Sequence, residues 1–259
     1  MRATRSKPMT TDDREAQETT GRADAPQSDP ARQRDAQQLW RAETAYALGL
    51  LVFGALALFA HFRAYFDWDL RIERGLQSLN WPGLFDLMRA VSVFGNRWIP
   101  SALTAVTAII FLIYHKRSEA AGLVASAGGS GLVNIVLKNI IGRPRPTAEL
   151  VTVYRSLGTD SFPSGHVTFY VCYFGFLFFV AFALLPRGSK ARRAALVLTA
   201  LPVALIGLSR VYLGAHWPSD TLGAYLFSGL WLGLSLHLYR HWKQRATFHT
   251  EREQRAAKQ

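Results

Sequence analysis

The chain has 259 residues, 49% of them hydrophobic, yet its mean hydropathy is only +0.07, so very apolar blocks must alternate with very polar ones. That length suggests a single domain. A net charge of +12 and a pI of about 10.3 point to an anionic partner, whether nucleic acid, membrane surface or substrate. A single cysteine, Cys172, excludes an internal disulfide, and no Cys/His spacing suits zinc.

Residues 1–41 carry eight Lys/Arg and seven Asp/Glu and almost no large apolar side chains. Such a segment cannot bury enough surface to fold and is expected to be a disordered tail. The first apolar block starts near Ala45, too far from the N-terminus for a secretory leader, and is expected to be a first membrane span. Six blocks follow in order: Ala45–Phe62, Trp98–Tyr114, Ala120–Ile141, Val167–Leu185, Ala194–Leu208 and Thr221–Leu238. A bilayer core asks for about 20 apolar residues per helix, with a range of about 17–25. Most blocks meet this with their flanks, and Ala194–Leu208 is the shortest. The expected fold is therefore all-α: an integral membrane bundle of six transmembrane helices over 42–243, with a basic tail at 244–259. Between spans one and two, Leu84, Leu87, Met88 and Val91 follow helical spacing. They predict an amphipathic segment that lies in the outer interface or packs on the bundle.

Charge sets the orientation. Twenty of the 30 Lys/Arg fall in the N-terminal tail, the loops after spans two and four, and the C-terminal tail. These segments share one side, so the positive-inside rule puts both termini in the cytoplasm. The basic balance is then mostly a topology signal, which speaks against nucleic acid. In span three, SAGGSG (residues 126–131) suits close helix packing better than a phosphate loop.

Three polar clusters fall on the opposite side, at one depth: KNIIGRPRP at the end of span three, PSGH opening span four, and SRVYLGAHWPSD from span five into span six. Ionisable residues at such places are costly and usually functional. Charges confined to one face, with nearly charge-free span middles, argue against a transport pathway. Lys138, Arg145 and Arg210 can surround a phosphate, to which Arg offers paired donors. Arg143 either reaches the same site or faces head groups. Ser164 is a natural N-cap, and the first turn of its helix favours an anion. Gly165 permits close backbone approach, and His166 can donate or take a proton. Pro218 suits a first helical position. Asp220, one turn on, can orient His216 as a general base or a nucleophile. His61, His115, His237, His241 and His249 lack such company and are read as interface or tail residues.

The pattern Lys138 to Arg145-Pro146, Pro163-Ser164-Gly165-His166 and Ser209-Arg210 to His216 and Asp220 resembles the three-part signature of the type 2 phosphatidic acid phosphatase superfamily, which also includes vanadium haloperoxidases. The resemblance covers roughly residues 64–240. It implies a metal-independent enzyme with no cofactor, in which His216 attacks phosphorus to give a phosphohistidine and Asp220 orients it. It further implies that His166 protonates the leaving group, while Lys138, Arg145, Ser164, Gly165 and Arg210 hold the phosphate. Since haloperoxidases are soluble, the spans favour a lipid phosphatase of an inner (cell) membrane, with the site on its extracytoplasmic face. Undecaprenyl pyrophosphate, phosphatidylglycerol phosphate and phosphatidic acid are candidate substrates, and transfer to a lipid or sugar acceptor is the alternative.

Overall fold

The computed structural model describes residues 30–155, 158 and 160–256. Residues 1–29, the larger part of the expected tail, lie outside the described residues, as do 257–259. Two compact units are distinguished, residues 1–46 and 47–259. Of the first, only its helical residues 30–46 are described.

Among the described residues the structure is helical, with no strand. In chain order the helices are α1 Pro30–Phe62, α2 Asp67–Gln77, α3 Leu84–Ser92, α4 Ile99–Ile113, α5 Arg117–Leu123, α6 Gly129–Ile141, α7 Gly165–Leu184, α8 Lys190–Tyr212 and α9 Pro218–Ala256. Five stretches are long and apolar enough to cross a membrane: 37–62, α5 with α6, α7, α8, and 218–245. A sixth span arises if α3 and α4 count as one bent unit, their axes turning by 58°. The chain is thus an integral membrane protein of five or six spans. Apolar side chains such as Leu51, Leu132 and Leu198 stay exposed, as a lipid-facing surface requires.

The helices outrun the apolar blocks. α1 starts at Pro30 rather than near Ala45, and α8 runs for 23 residues where the apolar block suggested the shortest span. The reason is physical. Hydropathy falls where Lys190, Arg192, Arg193 and Arg210 begin, but straight-chain basic residues are good helix formers. Ser189 caps α8, its Oγ accepting from the Arg192 N–H at 3.1 Å.

α7 runs through the core. Val167, Tyr170 and Phe176 on it pack with Leu123, Ile206, Ala224 and Tyr239 of α5, α8 and α9. Between α5 and α6 the helix loosens into one π turn, Val124–Gly128. Such a turn disturbs the hydrogen-bond ladder, and the Trp231 indole N–H reaches in to the Ala125 and Ser126 carbonyls, each at 3.1 Å.

The break between α3 and α4 matters for the site. A 3₁₀ turn, Val93–Gly95, ends α3, and Arg97 adopts φ +47°, a left-handed value uncommon outside glycine. The amphipathic segment predicted as an interfacial helix is α3. It packs on the bundle, Ser209 of α8 donating its hydroxyl to the Met88 carbonyl at 2.6 Å.

Candidate active site

Backbone bonds, joined by one from an indole, stitch the three polar clusters together. Pro144 and Asp160 form an antiparallel bridge, and the Ser161 N–H donates to the Arg143 carbonyl at 2.7 Å. The Trp217 indole donates to the Pro144 carbonyl at 3.1 Å, and the Ser164 N–H to that of Asp220 at 3.3 Å. Gly214, at φ +64°, lets the turn after α8 approach Thr152, since a Cβ there would fall 2.1 Å from the Thr152 carbonyl oxygen.

His216 sits in the turn before α9 and is almost fully buried. Its Nε2 lies 3.1 Å from Arg145 Nη1. A guanidinium has no acceptor, so Nε2 must present its lone pair and Nδ1 must carry the proton. Nδ1 in turn lies 3.4 Å from Ser161 Oγ and 3.6 Å from Asp220 Oδ2. The Ser161 hydroxyl makes a short bond to the same Asp220 oxygen, so it bridges ring and carboxylate where direct contact was expected. Burial, followed by the charges of Arg145, Lys138 and Arg210, holds the His216 ring well below the ordinary histidine pKa. The ring is neutral at physiological pH.

Asp220 is wholly buried and held on both oxygens. Oδ1 accepts from Arg143 at 2.5 Å, and Oδ2 from the Trp217 N–H at 2.9 Å as well as from Ser161. Arg143, left open by the sequence, turns out to face neither head groups nor the phosphate set. It is fully buried, bonding Asp69 at 2.9 Å, the Ser219 hydroxyl at 2.6 Å and the carbonyls of Arg63 and Ala64. Asp69 completes the cluster through the Ser219 N–H and hydroxyl, at 2.8 and 2.7 Å.

Lys138, Arg145 and Arg210 behave differently. Lys138 donates to the carbonyls of Asp160 (2.7 Å) and Ser161 (3.3 Å). Arg145 donates to those of Gly158 and Ala215, each at 2.6 Å, and Arg210 to Ser92 Oγ at 2.7 Å. None of the three pairs with a carboxylate among the described residues. Burial is the main influence lowering the Arg145 pKa. Ser164 occupies the N-cap position of α7, but its hydroxyl does not cap the helix. Among the described residues, that hydroxyl and Arg210 Nε are buried polar atoms without a partner, a state that costs about 1–3 kcal/mol per group. A bound oxyanion would satisfy both. Gly165 stands just past Ser164, where a Cβ would come within 3.3 Å of Asn134 Oδ1.

His166 opens α7 and meets a residue that the sequence did not single out. Its Nε2 lies 3.1 Å from Asn96 Oδ1, in the break between α3 and α4. Gly95 makes room for the ring, since a Cβ there would fall 2.2 Å from His166 Cδ2. Ser161, Asp69 and Arg143 were likewise not assigned roles. Asp69, Glu73 and Gln77 recur every four residues on α2, and that polar stripe was the legible signal. Glu73 is buried without a partner on either oxygen, and burial beside Asp220 and Asp69 pushes its pKa up to about 9.

The family model of the PAP2 superfamily matches residues 119–244, which hold all three clusters. The chain is 28% identical over 175 residues to phosphatidylglycerophosphatase B of Bacillus subtilis strain 168, covering 68% of this chain and 85% of that one. It is 31% identical over 142 residues to decaprenylphosphoryl-5-phosphoribose phosphatase of Mycobacterium tuberculosis, covering 54% and 71%. The crystal structure of a transmembrane PAP2-type phosphatidylglycerolphosphate phosphatase from Bacillus subtilis superposes with a TM-score of 0.66 at 26% identity, over 76% of this chain and 96% of that one. With its apolar spans and its three clusters gathered at one end of the bundle, the chain belongs to the PAP2 superfamily, whose lipid phosphatases are hydrolases of phosphate esters.

Proposed function

We propose that this membrane lipid phosphatase works by covalent catalysis at His216. The observation that carries the reading is the set of three cations around a neutral histidine whose Nε2 lone pair faces Arg145, one of the groups that would hold the phosphate. In the proposed sequence, Lys138, Arg145, Arg210 and Ser164 hold the phosphate oxygens and the open end of α7 adds backbone donors. Nε2 attacks phosphorus as the bond to the leaving oxygen breaks, and His166 gives that oxygen a proton. The N–P bond is then broken by water, whose proton returns to His166. Asp220, through Ser161 and across 3.6 Å, stabilises the positive charge the His216 ring acquires. An Nε2 lone pair serves a nucleophile and a general base alike, and it is the likeness to the PAP2 superfamily that favours His216 as nucleophile.

The substrate is a lipid phosphate whose chains stay in the bilayer. Relatives named for phosphatidylglycerol phosphate and for a decaprenyl phosphoribose support a phosphomonoester on a lipid head group, with undecaprenyl pyrophosphate as the diphosphate candidate. The Lys/Arg distribution supports an extracytoplasmic site with both termini in the cytoplasm. The proposed chemistry uses protein groups alone.

The test is phosphate release by purified, detergent-solubilised protein in EDTA, over prenyl diphosphates, phosphatidylglycerol phosphate and phosphatidic acid. The reading expects release that vanishes in His216→Ala and is inhibited by vanadate, a mimic of five-coordinate phosphorus. Strict metal dependence, or full activity in His216→Ala, would overturn it. Turnover only when a lipid or sugar acceptor is added would identify a phosphotransferase instead.

A further inference from the structure

The two histidines of the site are held by different chemistry. His216 reaches the Asp220 carboxylate through Ser161. His166 meets an amide, its Nε2 lying 3.1 Å from Asn96 Oδ1. An amide oxygen can only accept, so Nε2 keeps a hydrogen whether the ring is charged or neutral. Nδ1 is then the nitrogen that loses and regains the catalytic proton.

The difference suits the two tasks. The His216 ring gains positive charge as its Nε2 bonds phosphorus, and a carboxylate steadies that charge. An acid must give its proton up. A carboxylate in place of Asn96 would stabilise the charged ring and hold the proton back. It would also compete with the phosphate for Arg210, which lines the same cavity as Asn96. An amide fixes the ring and does neither.

Asn96 is itself firmly placed. It ends the 3₁₀ turn that separates α3 from α4, its N–H donating to the Val93 carbonyl at 3.1 Å and its carbonyl accepting from the Ile99 N–H at 3.0 Å. The helices that carry the site grip this elbow. From α7, the Tyr170 hydroxyl, one turn beyond His166, makes a short bond to the Val91 carbonyl. From α8, Ser209 bonds the Met88 carbonyl and Arg210 bonds the Ser92 hydroxyl. Gly95 lets ring and elbow meet, since a Cβ there would overlap the His166 ring.

We propose that Asn96 is the positioning residue of the acid. It fixes the His166 ring so that Nδ1–H protonates the leaving oxygen as the P–O bond breaks and the bond from phosphorus to His216 Nε2 forms. The inference rests on the phosphatase reading above and adds the group that aims its acid.

The experiment measures kcat/KM of the full chain in detergent on an alkyl and an aryl phosphate. The first is phosphatidylglycerol phosphate or, if faster, phosphatidic acid, either of which must expel an alkoxide. The second is a nitrophenyl phosphate bearing a decyl chain, whose phenolate leaves with little need of a proton. Asn96→Ala is expected to lose about 10–10²-fold on the alkyl phosphate and less than about threefold on the aryl phosphate, the pattern of a weakened acid. Gly95→Ala, which displaces the same ring by another route, should share that pattern. His166→Ala should show it more strongly, and adding Asn96→Ala to that variant should bring no further loss. Equal losses on both substrates, no loss on either, or losses that multiply in the double variant would overturn this inference and leave the phosphatase intact. Release from neither substrate by the wild type would overturn the phosphatase reading, and this inference with it.

Discussion

Two buried carboxylate clusters stand at opposite ends of one bundle. At the far end from the site, Glu119 accepts from Lys243 at 2.7 Å and from the Tyr239 hydroxyl at 3.1 Å, while Lys243 also donates to that hydroxyl at 3.0 Å. Acid, base and phenol bond one another and tie α5 to α9. At the site end, Arg143 with Asp69 and Asp220 makes a comparable set. Beside it, however, stand Lys138, Arg145 and Arg210 without a carboxylate among the described residues, and Ser164 and Arg210 with unspent polar atoms. Burial and charge are common to both ends. What separates a tie from a site is the surplus of donors.

Charge deletion at each end should expose this difference. Arg143→Met leaves Asp69 and Asp220 buried without their partner and should cost about 3–5 kcal/mol, seen as a collapse in Tm and in the yield of folded protein. Arg210→Ala removes a cation whose side chain, among the described residues, bonds Ser92 alone. It should lower kcat/KM by about 10²–10³ with little change in Tm. Equal Tm losses in the two variants would erase the distinction between structural and phosphate-binding cations.

Titration sharpens the comparison. Because His216 is held well below its ordinary pKa of 6.5, the acid limb of kcat/KM should lie below that pH. A limb at or above it would mean that burial and the neighbouring cations do not hold the ring neutral. Glu73 keeps its proton to about pH 9 in the folded chain, against an ordinary value of 4.5. Between those values the unfolded chain has released a proton that the folded one retains, so stability falls as pH rises through this window and levels off above it. Glu73→Gln removes that slope. Its Tm advantage over wild type should be larger at pH 8 than at pH 5, on a scale of about 2–4 °C per kcal/mol for a chain of this size. A constant difference across pH would refute the buried neutral acid. The smallest effect is expected at the far end. Glu119→Gln keeps the shape of a buried side chain and loses its pairing with a lysine that is 39% exposed, so the Tm loss should stay below that of Arg143→Met, and kcat/KM should not change.

Much of this was legible before any coordinates. Hydropathy located the spans, and residue types at fixed spacing singled out His166, His216, Asp220 and the three cations, which the fold gathers at one end of the bundle. Helix ends were missed because apolar blocks stop at charges and helices do not. Arg143 was left open because its meaning depends on Asp69, 74 residues earlier, and no local pattern encodes that pairing. Asn96 and Gly95 were invisible for a related reason. The break between α3 and α4, marked by Arg97 at φ +47°, is what brings them to His166. Ser161 stood two places before PSGH, and the antiparallel bridge of Pro144 and Asp160 sets it beside Asp220.

The most direct test of the central claim is chemical capture of the intermediate. Protein turning over a lipid phosphate is quenched in alkali, where phosphohistidine survives, and the peptide containing His216 is analysed by mass spectrometry. The account predicts a phosphoryl group on His216, at higher occupancy in His166→Ala if loss of that base slows hydrolysis more than formation, and none in His216→Ala. Unmodified His216 under active turnover in both wild type and His166→Ala would contradict it, and would make the ring a base that activates water.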